Sequence, residues 1–348
     1  MGDGIHGKVV TCARWVVALL SLGLSGCARP PLTFVIDPGP DAGSRPDAQH
    51  TSACGAIRQL GGPIPPEVLL VLDKSGSMSN LPDGTTCSGG CGSSSKWAQV
   101  TTAIERVVGM TTTVQWGLKL FATSNMGCDV SDGVEVPIGP SNAAAITFTI
   151  AQAKLGSHTP TALAVNKGAA YLATLTDPRP KYLLLATDGL PNCNANDPGQ
   201  TMADDSAGAE QAVASALAAG FPTFVIGVGD TKAEETLNQL ALKGGVPQLG
   251  AATSFYQVSD TAGLVAALGR ILGSVSCQFN LPQPENPFES LEDIAVLVNG
   301  VELPQDASHV NGWDYGTKMD QIQIYGPSCD ALMAGTIGSV AVQLFCHD

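Results

Sequence analysis

The sequence predicts an α/β protein: a doubly wound, mostly parallel six-stranded sheet with helices on both faces, followed by a small disulfide-stabilised β-rich module. Three observations lead there. Between Val68 and about Ser274, strand-like and helix-like segments alternate, which is the pattern of parallel strands joined by helical crossovers. Val68–Asp73 and Tyr182–Thr187 are near-continuous apolar runs, as strands buried on both faces must be. Beyond Cys277 the character changes to a hairpin and stretches that alternate like half-buried strands.

Taken in order, Val114–Ala122, Val134–Ile138, Pro222–Val228 and Ser254–Val258 complete the six strands. Trp116 alternates with Leu118 and Leu120, which places it in the core. Trp97, Val100, Ile104 and Val107 fall on one face of a helix. Thr201 is expected to open an Ala-rich helix with Asp204 and Asp205 in its first turn and Gly220 just past its end. Thr231 and Glu234 have the spacing of a capping box for the next helix. In the last segment, residues 294–303 read as a hairpin about Asn299-Gly300, a pair that accepts the positive φ of a tight turn. Ile322 with Ile324, and Val340 with Val342 and Leu344, follow as half-buried strands. The expected domains are thus 54–276 and 277–348.

The first residues have a separate purpose. Lys8 and Arg14 make a positive leader, and the apolar run Trp15–Leu24 is far short of the ~20 residues that span a bilayer, so it reads as a signal for export. It ends in Leu24-Ser25-Gly26-Cys27, which resembles the lipobox of bacterial lipoproteins. That resemblance implies removal of residues 1–26, acylation of Cys27 and a lipid anchor in the cell envelope. Ala28, in place of an Asp after the cysteine, resembles the outer-membrane rule of enterobacterial lipoproteins, which implies that membrane. Residues 27–53, with Pro30, Pro31, Pro38, Pro40 and Pro46, have little apolar surface to bury and read as a tether that reaches up to ~80 Å at ~3.1 Å per residue.

The formal charge of the chain is −14, and loss of Asp3, Lys8 and Arg14 with the leader makes it one unit more negative. Such a surface repels nucleic acid and anionic lipid and attracts cations, so contact with the membrane is expected through the anchor alone. Of ten cysteines, Cys12 leaves with the leader and Cys27 carries lipid. Cys54, Cys87, Cys91, Cys128, Cys193, Cys277, Cys329 and Cys346 remain, an even set in an exported chain, which argues for disulfides. If all are paired, at least one bridge crosses the boundary at Cys277; Cys54 with Cys277 would join the two ends of the first domain. Zinc at Cys87 and Cys91 lacks a second close pair of ligands.

Asp73-Lys74-Ser75-Gly76-Ser77 stands at the carboxyl end of the first strand. A hard divalent cation takes oxygen ligands, and one carboxylate with two hydroxyls on alternate residues of a turn supplies them. Gly156-Ser157-His158-Thr159-Pro160-Thr161 precedes a helix, and Thr187-Asp188-Gly189 closes a second buried strand. All three segments therefore fall at the carboxyl edge, where open α/β sheets bind ligands. On these residues the chain resembles the von Willebrand factor A family, whose metal-ion-dependent adhesion site combines an Asp-x-Ser-x-Ser loop, a Thr and an Asp in this order. The likeness extends over about residues 66–275. It implies that Asp73, Ser75, Ser77, Thr159 and Asp188 are metal ligands, with Thr161 an alternative to Thr159. It also implies a divalent cation, Mg²⁺ before Mn²⁺ or Ca²⁺, and a protein partner that offers an Asp or Glu carboxylate to the ion.

Enzymatic readings lack their signatures: the sequence holds no Gly-x-Ser-x-Gly elbow, no Walker A loop and no His-Glu-x-x-His. A metal-dependent hydrolase would need a base near Asp73, and His158 is the one candidate in these loops; as a lone loop histidine it is expected to be satisfied locally. A structural envelope module without metal function is the main alternative to the binding protein. The Gly- and Ser-rich stretch Ser79–Ser95, with Cys87 and Cys91, together with Cys128 and Cys193, is expected on the metal-bearing face, where disulfides would stiffen the loops.

Overall fold

In a computed structural model, the structure describes residues 57–346 except 112, 123–126, 195–202, 230–232, 249, 285–288, 317–318 and 334–335. The leader, Cys27, the tether and Cys54 lie outside the described residues. In chain order the elements are β1 (Arg58–Gln59), β2 (Glu67–Asp73), α1 (Lys96–Met110), β3 (Gln115–Phe121), β4 (Val136–Gly139), α2 (Ala143–Gln152) and α3 (Thr161–Leu172). Then come β5 (Lys181–Thr187), α4 (Ser206–Ala218), β6 (Thr223–Val228), α5 (Glu234–Lys243), β7 (Tyr256–Val258) and α6 (Thr261–Ser276). The last stretch holds β8 (Gln278–Asn280), β9 (Glu289–Val298), β10 (Val301–Leu303), β11 (Gly312–Tyr315), β12 (Gln321–Tyr325), α7 (Pro327–Met333) and β13 (Val340–Cys346).

Six strands form one sheet in the order β4-β3-β2-β5-β6-β7. All neighbours are parallel except β4, which runs antiparallel to β3 at the edge. The period of two sorts β2 between two cores. Val68, Leu70 and Leu72 pack with Val100 and Ile104 of α1, Ile146 of α2 and Leu268 of α6 on one face. Leu69 and Val71 pack with Val165 of α3, Val213 of α4 and Leu237 of α5 on the other. Trp116 is in the first of these cores, and its indole N–H donates to the Thr111 hydroxyl at 3.0 Å. Lys119 points from β3 to the opposite side without reaching water; its ammonium donates to the carbonyls of Ser131 and Gly133 and to the Ser131 hydroxyl.

Two helix starts differ from expectation. α4 begins at Ser206, and Asp205 is its N-cap residue instead of a first-turn acid. Asp204 lies one residue further out and accepts from the Ser206 hydroxyl at 2.7 Å, a local bond that competes with helix continuation. α5 begins at Glu234 behind Ala233, which has no capping side chain; Thr201 and Thr231 lie outside the described residues.

The remaining strands form a four-stranded sheet, β1-β13-β9-β10, and a three-stranded sheet, β11-β12-β8. Phe279, Val296, Trp313, Ile322, Ile324, Val342 and Leu344 share one core between them. The β9–β10 hairpin turns at Asn299 (φ 50°) and Gly300 (φ 80°), as the sequence predicts. Arg58–Gln59, expected in the first domain, pairs instead with Val342 and Ala341 of β13.

The cysteines resolve in part. Cys87 is bonded to Cys91, Cys128 to Cys193 and Cys277 to Cys329. The expected Cys54–Cys277 bridge is therefore corrected. Cys277 ends α6, and α7 packs on that helix and delivers Cys329 to within 5.7 Å, Cα to Cα. A disulfide offers no thiolate, so the Cys87–Cys91 bond also removes the zinc reading.

Candidate metal centre

The β2 register with β3 and β5 brings Asp73 opposite Phe121 and beside the end of β5, where Thr187 and Asp188 leave the sheet. After Asp73 the chain turns sharply. The Ser75 N–H donates to Asp73 Oδ1 at 2.7 Å, an Asx-type turn, and a 3₁₀ turn then runs over Gly76–Ser79. This turn directs the serine hydroxyls across the gap to β5. Ser75 Oγ lies 3.1 Å from Ser77 Oγ, and Ser77 Oγ donates to Asp188 Oδ1 at 2.8 Å. Thr187 Oγ1 donates to Asp73 Oδ2 at 2.6 Å. Asp73, Ser75, Ser77 and Asp188 are thus joined in one hydrogen-bonded chain.

Thr159 comes to the same edge through its backbone. The Gly156 N–H donates to the carbonyl of Lys74 at 2.6 Å, and a Cβ on Gly76 would stand 3.2 Å from the Gly156 oxygen, so the two loops meet where only glycine fits without adjustment. The Thr159 N–H donates to Asn192 Oδ1 at 2.8 Å, and the Asn192 N–H returns a bond to the Thr159 carbonyl at 3.0 Å. Cys193, next along, is bonded to Cys128, so a disulfide fixes the segment that holds Thr159. Thr161 lies in the first turn of α3, buried, with its hydroxyl 3.4 Å from the Thr159 carbonyl. His158 hydrogen-bonds its neighbour Ser157 at 2.7 Å.

Three residues of this centre were not singled out from the sequence. Thr187 and Asn192 hold Asp73 and Thr159, as above. Lys96, the first residue of α1, places its ammonium 2.8 Å from Asp188 Oδ2, with side-chain exposures of 5% for the lysine and 0% for the aspartate. Thr187 had a visible signal, its place beside Asp188. Lys96 had none, since it follows a long loop whose path the sequence does not define.

The electrostatics favour a cation. Asp73 is shut off from water, and burial first, then the nearby Asp188 charge, push its carboxyl up to about 7 against the bonds from Thr187 and Ser75. A buried carboxylate repelled by a second one gains when positive charge enters. The donors are two carboxylates and three hydroxyls, all hard oxygens; no group of three or more His, Cys, Asp or Glu side chains that could hold a metal gathers among the described residues, here or elsewhere. The residues present fit a hard divalent ion. Two cavities among the described residues, about 500 and about 250 Å³, are lined by none of the five. Both adjoin the opposite edge: the larger is lined by Tyr182, Phe224 and Tyr256 at the starts of their strands and by His309, Tyr315 and Tyr325.

An open, mostly parallel sheet that gathers carboxylates and hydroxyls from three loops at its carboxyl edge defines the class. The chain belongs to the von Willebrand factor type A domain family, which matches residues 67–268, more than half of the sequence. No curated protein matches the sequence. Among solved structures the chain is similar to the pilus adhesin SpaC from Lactobacillus rhamnosus GG, at 14% identity and a TM-score of 0.45 over 83% of this chain and 40% of that one. It is similar to the PilB minor pilin from Streptococcus sanguinis, at 18% identity and 0.42 over 60% of this chain and 61% of that one. A manganese-loaded TRAP protein from Plasmodium vivax matches at 15% identity and 0.42 over 59% and 72%. The chain spans about two-fifths of the length of the pilus adhesin.

Proposed function

We propose that this is an exported, lipid-anchored envelope protein that captures a protein partner through a divalent cation held by Asp73, Ser75, Ser77, Thr159 and Asp188, and that it is not an enzyme. The observation that supports it most is the side-chain chain from Ser75 through Ser77 to Asp188 at the sheet's carboxyl edge. The ion supplies a Lewis-acidic position that favours a carboxylate; the residues orient it, and Asp73 and Asp188 supply the negative charge. Mg²⁺ suits a set in which hydroxyls outnumber carboxylates, with Mn²⁺ and Ca²⁺ next. Calorimetric titration with Mg²⁺ tests the reading: the wild type binds, and Asp73→Ala does not, while its circular dichroism is unchanged. Pulldown of the partner from native envelope is lost in chelator. Equal heats from both proteins, or none from either at millimolar metal, would overturn it. A structural module without metal is the second reading, favoured by the Lys96–Asp188 pair, and it predicts the same pulldown with and without chelator.

A further inference from the structure

We infer that Lys96 is a resident counter-ion of this centre, placed so that a partner's carboxylate completes the neutralisation of the bound cation. The inference rests on the metal reading above.

The ammonium is held in place by its surroundings. The Lys96 N–H donates to the Asn80 carbonyl at 2.9 Å, and Ser95 caps the helix behind it by accepting from the Ala98 N–H at 3.1 Å. The aliphatic stem passes Gly229, whose φ of +86° and proximity leave no room for a side chain: a Cβ there would come within 2.8 Å of Lys96 Cε and 2.5 Å of the Pro82 oxygen. Lys96 takes one oxygen of Asp188, and Ser77 takes the other. The lysine thus leaves Asp188 turned to the serines while it cancels the charge. Lys74, the other lysine beside the motif, feels the Asp73 charge but sends its ammonium to the Lys154 carbonyl at 3.0 Å, whereas Lys96 bonds Asp188 directly.

The charges then add in one direction. Asp73 and Asp188 contribute two negative charges and Lys96, bonded to Asp188, one positive, so a divalent ion keeps one positive charge after these three bonded groups are counted. Lys96, Asp73 and Asp188 are buried while Ser77 faces solvent, so the charge is weakly screened on the protein's side and open to a partner on the other. An acidic partner removes it; a neutral or basic one does not. Lys96 therefore weakens capture of the metal alone and strengthens the dependence on an Asp or Glu side chain, which makes it a specificity-determining residue.

The test uses the full chain, with Mg²⁺ as the metal and acetate as the carboxylate against a chloride control. Lys96→Met is expected to bind Mg²⁺ alone about tenfold tighter than the wild type, to lose most of the tightening that acetate gives the wild type, and to melt lower in chelator. Equal Mg²⁺ affinities with equal acetate effects overturn the inference alone when Asp73→Ala abolishes binding; absence of Mg²⁺ binding by all three proteins overturns the metal reading as well. If Lys96→Met does not fold, amine labelling of the wild type with mass mapping decides. Lys96 stays unlabelled in chelator and in Mg²⁺ while the exposed Lys154 and Lys243 react. Labelling of Lys96 in either condition overturns the inference.

Discussion

Asp73 holds opposite preferences with and without a cation. In chelator the buried carboxyl, raised to about 7 from an ordinary 3.8, retains in the native state a proton that the unfolded chain releases. Its contribution to stability is full below about pH 4 and is lost as the pH rises through about 7. In chelator the wild type should therefore lose more thermal stability between about pH 5 and about pH 8 than Asp73→Asn does; equal losses would show that Asp73 does not titrate there. In Mg²⁺ the order reverses, because the proton competes with the ion, and the stabilisation by metal should grow with pH. At this scale Asp73, Ser75, Ser77 and Asp188 stand out by residue type at strand ends and Thr159 by its loop before a helix, and the family resemblance joins them into one proposed set. Lys96 and Asn192 do not stand out. Their side chains arrive from a loop and a helix start whose paths depend on packing, and neither residue belongs to a short pattern.

The loops behave as braces. Cys128 and Cys193 are 65 residues apart in sequence, and their bridge fixes the segment that carries Asn192 against Thr159. Replacing both by Ser should cost about 2–4 kcal/mol in denaturant unfolding and weaken Mg²⁺ binding, since closing so long a loop removes much freedom from the unfolded chain. The Cys87–Cys91 pair, four residues apart, should matter less; an equal loss from both double variants would contradict the loop-length argument. The β1–β13 register pairs Arg58 with Val342 and Gln59 with Ala341. With Cys87–Cys91, Cys128–Cys193 and Cys277–Cys329 paired, Cys54 and Cys346 are the two mature cysteines left over, and peptide mapping under non-reducing conditions should find them linked. Two free thiols there would refute it. The six strands were legible because their apolar runs are long or alternate cleanly. α2 was missed, because its buried positions reduce to Ile146 and Ile150 in an Ala- and Thr-rich stretch, and β1 because two residues carry no period.

On the scale of the molecule, the A-type domain is an excursion from a β module. The chain adds β1 to the four-stranded sheet, leaves to build the six-stranded one, and returns at β8. The anchor belongs to this scale too: Cys27→Ser should release the protein from floated membranes or stall its processing, and unchanged flotation would refute the lipoprotein reading. The place of β2 acquires a mechanical meaning once that anchor is granted. Tension between the membrane and a captured partner runs from the amino-terminal side through Glu67–Asp73 to the turn that bears Ser75 and Ser77, and so pulls β2 lengthwise. β2 lies between β3 and β5, hydrogen-bonded to both along nearly its whole length. To extract it, the ladders on both sides must fail together in shear, where a strand at the edge would peel bond by bond. Single-molecule pulling from the amino-terminal side and from Ser79 should therefore rupture at higher force than pulling from Val136 and Gly139, at the two ends of the edge strand β4; equal forces would argue against it. A surface protein built this way resists detachment along the same line on which it holds its partner.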